Sequence, residues 1–306
     1  MSPGAERAAS RKRLGPLAYL PCIRYHDVLM LQGSPLLGAA FALGPAFALA
    51  RVTVETIASV LMLALGSFLL VAHVFSFNDW AGIATDSEDP NKSATVFSTR
   101  GVTPRGVLLL SAGLLGAAML VFLRLPRPTL LLAVAIAALG IFYSHPWMNA
   151  KGIPVVSSCP HLFGGLLHFL LGYSLFRPID RRGALIALFF ALTFTAGHLN
   201  QEVRDHDGDR LNGLSTNAVA FGPTPAFLAG LLIFTLAYAD LGYLAYSGLV
   251  PRVLGLLPLM LYPVHVAWSL TTLRAGLTFG NVSRLQRRYR MLYALIGLGM
   301  VARLVM

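Results

Sequence analysis

Residues 183–210 read GALIALFFALTFTAGHLNQEVRDHDGDR. Positions 183–200 are almost continuously apolar, and about 20 such residues are what a helix needs to cross a bilayer. A membrane strand would alternate apolar and polar positions, so a helix is the reading that fits. The residues that follow, Gln201 to Arg210, carry Glu202, Asp205, Asp207 and Asp209. If the helix continues, Asp205 and Asp209 lie one turn apart on one face, and Glu202 joins that face from three residues before Asp205. Like charges repel there. A hard divalent cation such as Mg2+ relieves the repulsion, because it favours carboxylate oxygens and keeps positions open for phosphate oxygens.

The rest of the chain agrees with a membrane setting. Of its 306 residues, 12% are charged and 56% hydrophobic, against about 25% charged in an ordinary soluble domain. A soluble globule of this size needs far more polar surface and is excluded. Two cysteines, Cys22 and Cys159, cannot build a disulfide framework. The net charge of +11 would suit a nucleic-acid binder, but the scarcity of polar residues would not, so no nucleic-acid partner is expected.

Apolar stretches near 29–50, 53–77, 105–124, 128–145, 160–176, 183–200, 217–247, 250–273 and 289–306 predict an all-α polytopic membrane protein with nine transmembrane helices. Residues 1–28, with Arg7, Arg11, Lys12, Arg13 and Arg24, read as a basic cytoplasmic tail. Residues 29–306 read as one transmembrane domain. With the N-terminus inside, 16 of the 24 basic residues fall on the cytoplasmic side, five of them in a loop at 274–290. That bias places the N-terminus in the cytoplasm and the C-terminus opposite, in the plasma membrane if the source is bacterial.

Of thirteen acids, eight fall in two short segments. One is Gln201–Arg210. The other runs from Asn78-Asp79-Trp80 through Gly82, Asp86, Glu88 and Asp89 to Lys92. Asp79 and Asp86 are seven apart, about two helical turns, and so share a face. Both segments follow an apolar span and lie on the same predicted side. Spans two and six each running into acids suggests two related helical halves around a central cavity.

These residues resemble the UbiA superfamily of intramembrane prenyltransferases, which carries N-D-x-x-D-x-x-x-D after helix two and D-x-x-x-D after helix six. Asn78, Asp79 and Asp86 match the first motif, and Asp205 and Asp209 the second. Asp89-Pro90-Asn91-Lys92, Gly208-Asp209-Arg210 with Gly213 and Ser215-Thr216, and Tyr143-Ser144 with Pro146 and Lys151 are similar to further family stretches. Gly82 departs from the pattern, standing where the family has the middle Asp of the first motif.

The resemblance implies Mg2+-dependent transfer of a prenyl group from an allylic prenyl diphosphate to a lipophilic or aromatic acceptor within the membrane. It implies Asn78, Asp79, Asp86, Asp205 and Asp209 as metal ligands, with the four aspartates catalytic. Lys92, Lys151, Arg210, Tyr143 and Arg100 are implied as diphosphate contacts, and membrane lipids as surroundings. A UbiA-like isoprenoid cyclase or a non-catalytic relative is the alternative that Gly82 raises. An ion-coupled transporter would also use membrane acids, but both clusters lie at span ends on one side. The D-G-x-x-A-R pattern of CDP-alcohol phosphotransferases is absent.

Overall fold

Thr53 opens the first long helix by accepting a hydrogen bond from the Thr56 amide at 3.1 Å, as an N-cap does. That helix, α3 (Val54–Ala81), follows two short ones, α1 (Tyr25–Leu31) and α2 (Gly33–Leu43). The computed structural model describes residues 16–44, 53–148 and 150–305. Beyond α3 the order is α4 (Ile83–Glu88), α5 (Pro104–Phe122), α6 (Arg127–Ser144), α7 (Cys159–Tyr173), α8 (Arg181–Leu211), α9 (Asn217–Phe221), α10 (Pro223–Tyr246), α11 (Leu256–Ala275) and α12 (Phe279–Val305). No strand occurs among the described residues. Six segments there are long and apolar enough to cross a membrane: α3, α5, α6, α8, α10 and Arg252–Ala275.

The apolar residues divide into cores joined by α7. On one side Leu37 and Phe41 of α2, Phe169 and Tyr173 of α7, Ile186 of α8, Leu241 of α10 and Ile296 of α12 pack together. On the other, Leu63 and Leu70 of α3, Phe122 of α5 and Ile136 of α6 pack on Leu171. Polar pairs tie these helices where no water competes. Ser67 Oγ lies 3.1 Å from His168 Nε2, and Ser111 Oγ lies 2.8 Å from His73 Nδ1. Such bonds hold helices together in lipid, where the hydrophobic effect does not. Helices α2 and α7 approach backbone to backbone: a Cβ at Gly38 would overlap the Phe169 carbonyl, and one at Gly172 would overlap the Pro35 carbonyl.

Three expected boundaries move. The basic run at 283–290 is not a loop but the first turns of α12, which starts at Phe279. Arginine is a good helix former, and the break comes earlier, at Gly276, whose φ of +91° suits glycine. The stretch 217–247 divides at Gly222 (φ +93°) and Pro223 into α9 and α10. The stretch 29–50 breaks at Gln32 between α1 and α2, and its residues 45–50 lie outside those described. So do residues 1–15 of the basic tail, with Arg7, Arg11, Lys12 and Arg13. The rest of that tail is seated: the 3-10 turns Pro16–Ile23 bury Cys22 against Val96, Phe97 and Val107.

Candidate functional site

Helix α8 positions the second acidic segment. Asp180 caps its start, accepting from the Gly183 amide at 2.7 Å. Its 31 residues rise about 46 Å, well beyond the ~30 Å hydrocarbon core, so its polar last turns extend past the apolar run. It ends in a Schellman motif: Leu214 N–H donates to the Asp209 carbonyl at 2.9 Å, Gly213 N–H donates to the Arg210 carbonyl at 3.2 Å, and Gly213 has a φ of +67°. The first segment lies on the last turn of α3 and on α4. Gly82 joins the two helices with φ −89° and ψ 0°, and α4 packs on α8.

Lys92 brings the two segments together. Its Nζ lies 3.0 Å from Asp205 Oδ2, 3.6 Å from Asp86 Oδ1 and 3.6 Å from Asp89 Oδ2. Burial alone would pull this ammonium down, but the carboxylates of Asp205, Asp86 and Asp209 outweigh it and hold the pKa above the usual lysine value. Asp209 feels both Lys92 and Lys151. Lys151 is half-buried, with Nζ 3.6 Å from where a Gly82 Cβ would stand. Asp86 Oδ2 would lie 3.2 Å from that same Cβ. Gly82 therefore sits between a carboxylate and an ammonium of the site.

The remaining expected residues are placed as follows. Asn78 Oδ1 accepts from Ser144 Oγ at 3.2 Å. Asp79 Oδ1 lies 3.4 Å from Arg24 Nη1. Tyr143, at the end of α6, sets its ring edge-on to His161, with centroids 4.9 Å apart. Arg210 is exposed on the last turn of α8. The side chain of Arg100 lies outside those described.

Sequence reasoning missed three features. Asp89 is 2% exposed. Its carboxylate lies where a Gly208 side chain would stand, so only glycine lets α8 approach it. Arg204 forms a two-pronged bond to Asp205 at 2.6 and 2.8 Å and also donates to Gln286 Oε1 at 3.1 Å. Glu202 does not join the acid cluster but is buried below it, accepting from Ser157 Oγ at 2.8 Å, Asn217 N at 3.0 Å and Asn217 Nδ2 at 2.8 Å. The i, i+4 spacing of His198 and Glu202 was the available signal for the last.

Mg2+ is the ion this donor set fits. The candidate ligands are hard carboxylate and amide oxygens. No three Asp, Glu, His or Cys side chains among the described residues gather as a ready-made cage. Mg2+ does not require one, since it takes one or two carboxylates and completes its shell with water and phosphate.

The fold has solved counterparts. A UbiA homologue from Archaeoglobus fulgidus bound to GPP and Mg2+ superposes with a TM-score of 0.72 at 15% identity, over 94% of this chain and 99% of that one. A digeranylgeranylglyceryl phosphate synthase gives 0.68 at 15%, over 94% and 98%. An apo UbiA homologue from Aeropyrum pernix K1 gives 0.67 at 17%, over 91% and 98%. No curated protein matches closely enough to count as a relative. The profile of the UbiA prenyltransferase family matches residues 31–279, and with that match the chain belongs to the UbiA prenyltransferase family.

Proposed function

We propose that this chain transfers a prenyl group from an allylic prenyl diphosphate to an aromatic acceptor inside the membrane. The observation that carries the reading is the Lys92 ammonium held between Asp86 and Asp205 at 3.6 and 3.0 Å. It joins the two acidic segments into one charged patch at the ends of apolar helices. An apolar chain ending in a diphosphate matches both parts. The structural counterparts bound to GPP or DMAPP with Mg2+ support the donor class.

Asn78, Asp79, Asp86, Asp205 and Asp209 are the residues to hold Mg2+, which when bound neutralises charge gathering on the diphosphate oxygens. Lys92, Lys151 and Arg210 supply cationic contacts to the same oxygens, and Tyr143 borders the site from α6. Ser144 keeps the Asn78 amide oxygen in place. The helices exclude water from the allylic cation, and no covalent enzyme intermediate is needed. Residues 29–306 act as one domain. The acidic end faces the cytoplasm, as the distribution of basic residues supports.

Membranes containing the protein, given labelled prenyl diphosphates and a panel of aromatic acceptors, are expected to form prenylated product only while Mg2+ is present. Transfer that persists in excess chelator overturns the reading. A second expectation concerns the missing carboxylate. A Cβ at Gly82 lies 3.1 Å from the Asn78 carbonyl, so Gly82→Asp should cost about 1 kcal/mol through crowding. It should also lower the Mg2+ concentration for half-maximal transfer. An unchanged Mg2+ titration shows that position 82 does not bear on metal binding.

A further inference from the structure

Beneath the acids lies a polar assembly that the prenyl-transfer reading leaves without a task. Its core is a pair of imidazoles, His161 of α7 and His198 of α8, stacked with centroids 3.7 Å apart and planes 9° from parallel. His161 Nδ1 lies 3.1 Å from the Ser157 carbonyl oxygen. A carbonyl only accepts, so Nδ1 carries the proton and Nε2 keeps the lone pair. No described side chain hydrogen-bonds that Nε2. His198 Nε2 lies 3.0 Å from Glu202 Oε1, off the line of a good hydrogen bond but close enough for its charge to act.

The assembly is held in place from several sides. Glu202 accepts from Ser157 and twice from Asn217. Asn217 Oδ1 also accepts from the Val155 amide at 2.7 Å. Val155 has a φ of +66°, and Val156 N–H donates to the Pro154 carbonyl at 2.8 Å. A β-branched residue at the centre of such a γ-turn is strained. Strain of this kind persists where the surroundings over-determine it, and it gathers at functional sites. Here it sets the Ser157 carbonyl that orients His161.

Location suggests the task. His198 is seven residues before Asp205, about 10 Å back along α8 toward the apolar core. Tyr143 connects the pair to the first segment, since its ring meets His161 and the next residue, Ser144, donates to Asn78. The imidazoles thus lie on the membrane side of both acidic segments. With the diphosphate at the acids, that is the level of its allylic carbon and of the acceptor.

We propose that His161 Nε2 takes the proton that the aromatic acceptor loses on prenylation, with His198, stacked on its ring, and Glu202, 3.0 Å from His198, as residues that position it. This rests on the transferase reading above. The donor C1–O bond breaks and diphosphate leaves with the electron pair. A ring pair of the acceptor forms the new C–C bond. The C–H pair at that carbon returns to the ring as its proton passes to Nε2, and His161 gives the proton to water before the next turnover.

His161→Phe keeps a flat ring against His198 and removes the lone pair. His161→Gln is the milder variant, keeping a donor for the Ser157 carbonyl. In each, transfer is expected to fall about 10²-fold, the usual contribution of a positioned base, with prenyl diphosphate binding unchanged. Diphosphate release should outrun product, because ionisation precedes proton loss, and the prenyl cation that fails to transfer should be recovered as the prenyl alcohol after capture by water. An acceptor deuterated at the attacked carbon should show an isotope effect in the variants and none in the wild type. Variants that transfer like a transferring wild type, or that lose diphosphate binding in step with transfer, overturn the His161 assignment alone. A wild type that binds prenyl diphosphate but prenylates no acceptor overturns the transferase reading, and this one with it.

Discussion

Asp205→Asn and Asp209→Asn will each stop prenyl transfer while leaving the protein folded in the membrane. The substitutions keep shape and remove one negative charge at the end of α8. Asp205 is the more connected of the two: Lys92 and both prongs of Arg204 converge on it. Losing it frees two cations and removes a candidate metal ligand. Asp209 sits one turn on, within the field of Lys92 and Lys151. Removing one group that stabilises a developing negative charge costs about 10²–10³-fold in rate, and a metal ligand shared with a polyanionic substrate belongs at the upper end. The check is product formation by membranes carrying equal amounts of each variant, with Mg2+ binding measured in parallel. Wild-type rates in either variant would remove the aspartate pair from the mechanism.

The largest effect on stability is expected far from the chemistry, at Gly172. Its Cα faces the Pro35 carbonyl of α2 so closely that any side chain would overlap it. The opposing Gly38 stands the same way toward Phe169. Backbones that meet like this cannot separate locally, because α2 and α7 belong to a single core with Phe41, Phe169 and Tyr173. Gly172→Ala should therefore force the helices apart and cost about 3 kcal/mol or more, the upper end of overpacking. The thermal midpoint of the purified protein in detergent reads this directly, and an unshifted midpoint would refute the close contact. Gly164→Ala, on the same helix with open space around it, serves as the control.

The membrane-helical fold was legible because hydrophobicity and length report directly on a bilayer. Both acidic segments were legible because acids are so rare in this chain. What could not be read was partnership across the sequence. Nothing near Lys92 says that it reaches Asp205, and nothing near Asp89 says that Gly208 makes room for it. Arg204 and Asp205 are adjacent, and helical neighbours in sequence do not ordinarily face each other; only the length of the arginine closes the gap. The arginines of 284–290 misled for a different reason. Charge marks the side of a membrane, but backbone-breaking residues mark where a helix stops, and those are at Gly276. The stacking of His161 on His198 had no sequence sign, since the two residues sit on different helices.

Helix α8 outruns the hydrocarbon by several turns, and its acidic residues are all at that overhang. A molecule with a diphosphate at one end and an apolar tail at the other can meet such a helix edge-on, sliding in the leaflet with its head already at the right height. It need never leave the lipid to be captured, and its head need never sink into oil. The encounter is then a search over a surface, and the quantity that governs supply is the number of such molecules per lipid rather than per litre.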